Sequence, residues 1–153
     1  MEHFGEKRTL GCVVFGRVVP VGELFGSPYS KRTEGDGFAV VTARTAFLRR
    51  LFPKENALLS PADATVTENE RGMRLTLRTG DGVVLTVIAG AEGSLFPQAG
   101  ERVVFGAPIG RLNGTEPVLV LFCEPSQISE LHIHAGYRRA GSAAAAYRPR
   151  RAD

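Results

Sequence analysis

Residues 73–79 read Met-Arg-Leu-Thr-Leu-Arg-Thr and alternate apolar with polar side chains without a break. A period of two belongs to a strand with one buried and one wet face. Gly80-Asp81-Gly82 follows as a hairpin turn, and Val83 to Ala89 is then almost continuously apolar, as in a central strand buried on both sides. The rest of the chain repeats this punctuation. Cys12–Phe15 and Arg17–Val21 are rich in β-formers, and Phe38–Val41 follows a Gly35-Asp36-Gly37 turn. Ala57–Ser60 runs into a Pro61-Ala62-Asp63 turn, and Arg102–Phe105, Val118–Phe122 and Leu131–Ala135 are further strand segments. Short strands with turn signals every eight to twelve residues or so predict a sandwich or barrel.

Two segments stand apart. Thr45–Phe52 has good helix formers and is stopped by Pro53, so it is either a short helix or an edge strand with a loop. Ser126–Glu130 fits a single turn capped by Ser126. With 153 residues, no internal repeat and no dividing linker, one domain is expected. Its limits are read as an extension over 1–9, a sandwich over 10–141 and a basic, flexible tail over 142–153.

Charge and cysteine usage bound the function. The net charge of +3 comes from the C-terminal end, where Arg138, Arg139, Arg148, Arg150 and Arg151 gather. Such a stretch touches phosphates in some proteins. Here it lacks lysine and carries an alanine run, so a solvated tail is expected and no nucleic acid partner. No stretch approaches the ~20 apolar residues of a membrane span, and residues 1–10 have no apolar segment of the signal-peptide kind. Cys12 and Cys123 lie far apart among apolar neighbours and read as buried free thiols of a cytoplasmic protein.

The order of these turns resembles the glucose-type IIA component of the bacterial phosphotransferase system. Val18-Val19-Pro20-Val21, Ser27–Lys31 and Gly35–Val40 are similar to that family's opening. Ser60–Val66 resembles its Ala-Pro-Val-Asp-Gly-Thr-Val turn, and Gly82–Gly90 its signature strand. Ala99–Val103 resembles its Glu-Gly-Gln-Arg-Val turn, and Glu116–Val120 through Ile128–Leu131 and Gly136 its closing segment. The match runs in one order from about Leu10 to Gly141, and it is the ordered set, with no single motif, that carries it. The resemblance implies an all-β, antiparallel β-sandwich.

It also implies a chemistry this chain lacks the groups for. In the family one histidine takes a phosphoryl group from the carrier protein HPr, and a second hydrogen-bonds it. The first position falls on Met73, with Gly72 the alternative if the loop slips by one, and the second on Ile88. Neither side chain accepts a phosphoryl group or donates a hydrogen bond to one. The neighbouring loop has Gly26 where the family has a carboxylate; it keeps an aromatic in Tyr29 and adds Lys31 and Arg32, while Glu92 retains an acidic residue after the second position. A basic rim repels the basic partner that the family's acidic rim suits. The expectation is a non-phosphorylatable binding or regulatory module without cofactor. It would bind a protein partner or a second copy of itself through the former active-site face, lined by Tyr29, Lys31, Arg32, Met73, Ile88 and Glu92. The alternative is an active phosphocarrier with a relocated site.

Two smaller readings remain. His132 and His134 fall on one face of a strand, ~7 Å apart, as in the zinc site of LytM-type peptidases. Those enzymes need a further His-x-x-x-Asp motif, and His3, the only other histidine, starts none. A weak two-ligand site falls short of the usual four, so no tight metal is expected, and Leu131 and Ile133 are read as the core side of that strand. Ser60–Asp63 also resembles a turn in phosphatidylserine decarboxylases, but Phe105-Gly106-Ala107 lacks the serine that self-cleavage requires.

Overall fold

A computed structural model describes residues 6–25, 37–42, 56–112 and 116–150. The elements begin with β1 (Arg8–Gly11), β2 (Gly16–Pro20), a short helix α1 (Val21–Phe25) and β3 (Gly37–Val41). They continue with β4 (Ala57–Leu59), β5 (Ala64–Glu70), β6 (Arg74–Thr79), β7 (Val84–Ile88) and β8 (Arg102–Val103). The chain then forms β9 (Pro108–Arg111), β10 (Val118–Phe122), β11 (Ile128–Ile133), β12 (Gly136–Arg138) and β13 (Ala143–Pro149). A 3-10 turn at Pro125–Gln127 precedes β11. The all-β, antiparallel architecture read from the alternation is thus present.

Eight strands form one sheet in the order β12-β2-β3-β10-β7-β6-β5-β8, three form a second in the order β1-β13-β11, and β4 pairs with β9. The alternation over 74–79 does what its period requires: Leu75, Leu77 and Thr79 are buried while Arg74 and Arg78 are exposed. Leu75, Leu77, Leu85, Val87, Val118, Val120, Phe122, Phe38 and Val40 enter one core from the large sheet. Leu10, Ala144, Ala145 and Tyr147 enter it from the small one. Phe122 and Tyr147 meet edge to face across the layers, with centroids 5.3 Å apart. Leu131 and Ile133 pack against the same core, which is the arrangement expected for the side of β11 opposite the histidines.

The outer limits of the domain differ from those read in the sequence. Residues 143–149 are the middle strand of the small sheet, with β1 on one side and β11 on the other. The alanine run belongs to the interior: Ala144 and Ala145 are wholly buried and join the core. At the other end β1 begins at Arg8, inside the assigned extension. Cys12–Phe15 is a bend between β1 and β2, with Val13 and Val14 buried without strand pairing. The turn near Ser126 is the 3-10 turn, and Glu130 already belongs to β11. Val21 opens α1 rather than ending a strand; β2 stops at Pro20. Thr45–Phe52 lies outside the described residues.

Both cysteines are free, but only Cys12 is buried; Cys123 is half-buried. The Cys12 thiol donates to the Val14 carbonyl at 3.0 Å, and burial pushes its pKa up from 9.0 to about 11. A thiol pKa raised on folding stabilises the protein fully below the unfolded value and loses that contribution as pH rises through the folded one. Stability should therefore fall between pH 9 and 11, and Cys12→Ala should flatten that fall; equal slopes for the two proteins in alkaline denaturation would contradict this. Tyr147, whose pKa is also raised chiefly by burial, adds a slope that both proteins share.

Candidate functional site

The large sheet has a second, outward face. Antiparallel partners share a face, so the register assigns its side chains. Ile88 on β7 stands between Arg74 on β6 and Leu119 on β10. Thr86 stands between Thr76 and Leu121, and Val84 is opposite Arg78. Towards β2 this face is apolar: Val19, Val21, Ala39, Leu119 and Leu121 form a second buried cluster, with Val41 and Ile88 partly buried against it. Towards β8 it is polar and basic, because Thr65 on β5 stands between Arg78 and Arg102. Thr86 is buried, and its Oγ1 lies 2.7 Å from Cys123 Sγ.

Met73 precedes β6 and is 37% exposed. It ends a tight turn whose Met73 N–H donates to the Glu70 carbonyl at 3.0 Å. Both central residues have left-handed φ, 56° at Arg71 and 72° at Gly72, the signature of an I′-like hairpin turn. Asn69 anchors this turn: its Oδ1 accepts from the Gly72 amide at 2.7 Å, and its Nδ2 donates to the Leu95 and Pro97 carbonyls at 3.1 and 2.6 Å. Gly93 and Leu95 donate their amides to the Arg71 and Gly72 carbonyls at 2.8 and 2.9 Å.

Met73 and Ile88 thus lie at neighbouring points of the β6–β7 hairpin without being cross-strand partners. The residue opposite Ile88 is Arg74, and Met73 meets Ala89 through a 2.9 Å backbone bond, its carbonyl accepting. Glu92 is exposed in the adjoining turn. Tyr29, Lys31 and Arg32, like Gly26, lie outside the described residues. His132 is exposed on β11 in the small sheet, and His134 lies half-buried just beyond the end of that strand. Among the described residues no group of three or more His, Cys, Asp or Glu is placed to hold a metal, and no helix is long and apolar enough to cross a membrane.

Two features escape the sequence reading. Arg74 and Arg78 share the wet face of β6 by alternation, but only pairing through β5 brings the distant Arg102 beside Arg78. A cleft of about 440 Å³ at the far end of β6 is lined by Arg8, Asp63, Thr79, Asp81, Phe105 and Tyr147. Arg8 spans it to Asp81 with bonds of 3.0 and 3.3 Å, and Asp63 accepts the Phe105 amide at 2.7 Å. These contacts tie β1 to the β6–β7 turn and the Pro61–Asp63 turn to the segment after β8.

No protein-family model and no curated protein matches the chain. Among solved structures it is similar to glucose permease IIA from Mycoplasma capricolum, with a TM-score of 0.74 and 14% identity over 93% of this chain and 96% of that one. With nearly the whole of both chains superposed on the strand order described above, the chain has the antiparallel β-sandwich fold of a glucose permease IIA domain.

Proposed function

We propose that this protein is a phosphotransferase-system IIA-like binding or regulatory module that carries no phosphate and engages a protein partner through the face around Met73 and Ile88. One observation carries the reading. On the β6–β7 hairpin, where the family resemblance locates two imidazoles, the side chains are a thioether and an alkyl group. Neither has a lone pair basic enough to attack a phosphoryl group or a proton to donate to one. Met73 is exposed and Ile88 half-buried, and an exposed methionine suits adaptable contacts. Of the described histidines, His132 sits in the other sheet and His134 just beyond the end of its strand.

The test is incubation with phosphoenolpyruvate, enzyme I and HPr, with phosphorylation of HPr itself as the control for an active relay. The protein should keep its unmodified mass. An acid-labile gain of one phosphate at full stoichiometry would refute the reading, and loss of that gain in His132→Ala would identify a relocated acceptor.

A further inference from the structure

We infer that the outer face of the large sheet recognises an acidic protein segment, with Arg78 and Arg102 as its charge-reading residues. The apolar half of this inference rests on the docking face proposed above; the arginine half does not. Arg102, Thr65 and Arg78 form one cross-strand row, so the two arginines leave strands only ~10 Å apart, with a hydroxyl between them. Both are exposed, and among the described residues neither has a carboxylate within ion-pair distance. Two like charges held side by side repel, and a row of this kind is stabilised by an anion that accepts from both guanidinium groups.

The surrounding charges give the site a direction. Glu70 stands opposite Arg74, and Glu68 opposite Thr76, so positive potential is weakened at the Met73 end of β6 and concentrated at the Arg78 end. Four residues of strand, ~13 Å, separate Arg78 from Arg74 and its partner Ile88. The fitting ligand is therefore a segment with carboxylates over Arg78 and Arg102 and an apolar anchor ~13 Å away over Ile88. A second copy whose two-fold axis passed through the arginine row would set arginine against arginine. A nucleic acid strand would run its phosphates past Glu68 and Glu70.

The experiment uses the full chain, isotope-labelled, at about 150 mM salt. Its probes are an extended peptide with a Leu-Phe anchor four residues from three glutamates, the same peptide with glutamines, and a single-stranded oligonucleotide of matching charge. The acidic peptide should shift the Arg78 and Arg102 side-chain signals and bind at least tenfold more tightly than the glutamine peptide. Arg78→Glu with Arg102→Glu should remove that tenfold while leaving the melting temperature unchanged, since both side chains are exposed. Equal binding of the two peptides at Ile88 would overturn the inference and leave the docking face standing. Shifts at the arginines without a shift at Ile88 would support the inference and sink the docking face. No shift at Arg78 or Arg102 at millimolar peptide, or tighter binding of the oligonucleotide, would overturn the inference.

Discussion

A chain ending at Gly141 is expected to lose its cooperative fold altogether. The twelve residues removed look dispensable in the sequence, being mostly alanines and arginines, yet they include β13, the strand that lies between β1 and β11. Truncation deletes backbone ladders on both of its edges. It also removes Tyr147, 2% exposed, from its contact with Phe122. Losing a buried aromatic side chain alone costs ~3–5 kcal/mol. Opening the core over Leu10, Ile109 and Phe122, all fully buried, adds a comparable amount. Together these rival the ~5–15 kcal/mol that holds a domain of ordinary stability. Near-ultraviolet dichroism and a denaturant titration of the truncated chain should show no native transition. A sigmoidal transition with the parent midpoint would show that β13 contributes little. Ending the chain after Arg150 instead leaves all of β13 in place and should change the midpoint very little.

Gly72→Ala is expected to cost about 2–4 kcal/mol, a large effect for one methyl group on a surface turn. Two terms contribute. The φ of 72° lies in the left-handed region, which costs a residue bearing a Cβ ~1–2 kcal/mol. The new carbon would also stand 2.6 Å from Gly93 Cα and 2.7 Å from Gly93 N. Backbone atoms cannot swing aside as a flexible side chain would, so the turn must lift from the 91–97 segment and strain the Asn69 hydrogen bonds. Gly82→Ala is the control, with a similar φ of 82° but nothing within 4 Å of its added carbon. It should show the conformational cost alone, ~1 kcal/mol. Denaturant midpoints for the pair measure the difference, and equal midpoints would show that the approach of the two turns is unimportant. Because Met73 is the next residue, Gly72→Ala should also disturb partner binding, whereas Gly82→Ala should not.

The alternation of residues 74–79 and the turn at Gly80–Gly82 were sufficient, by themselves, to determine that this hairpin is antiparallel and which face of β6 is buried. Side-chain period is a local property of a strand, so Leu75 and Leu77 could be assigned to the core without their neighbours, whereas the unbroken apolar run after Gly82 did not single out Leu85 and Val87. That residues 73 and 88 are methionine and isoleucine is equally legible, being a matter of residue identity; that they stand where the family has its imidazoles belongs to the proposal above. What could not be read was any feature made by strands distant in the chain. Ala144 and Ala145 carry almost no local signal, and their low polarity beside five arginines resembles a tail until β1 and β11 enclose them. Met73 shares the parity of Leu75 and Leu77, yet it is exposed, because the I′-like turn ends at Met73 and pairing begins only at Arg74. The row Arg102–Thr65–Arg78 spans three strands, and its members acquire a common face only through the register of β5 with β6 and β8. Periodicity fixes the face of a single strand; the charge carried by a sheet depends on which strands lie side by side, and that is decided by tertiary pairing.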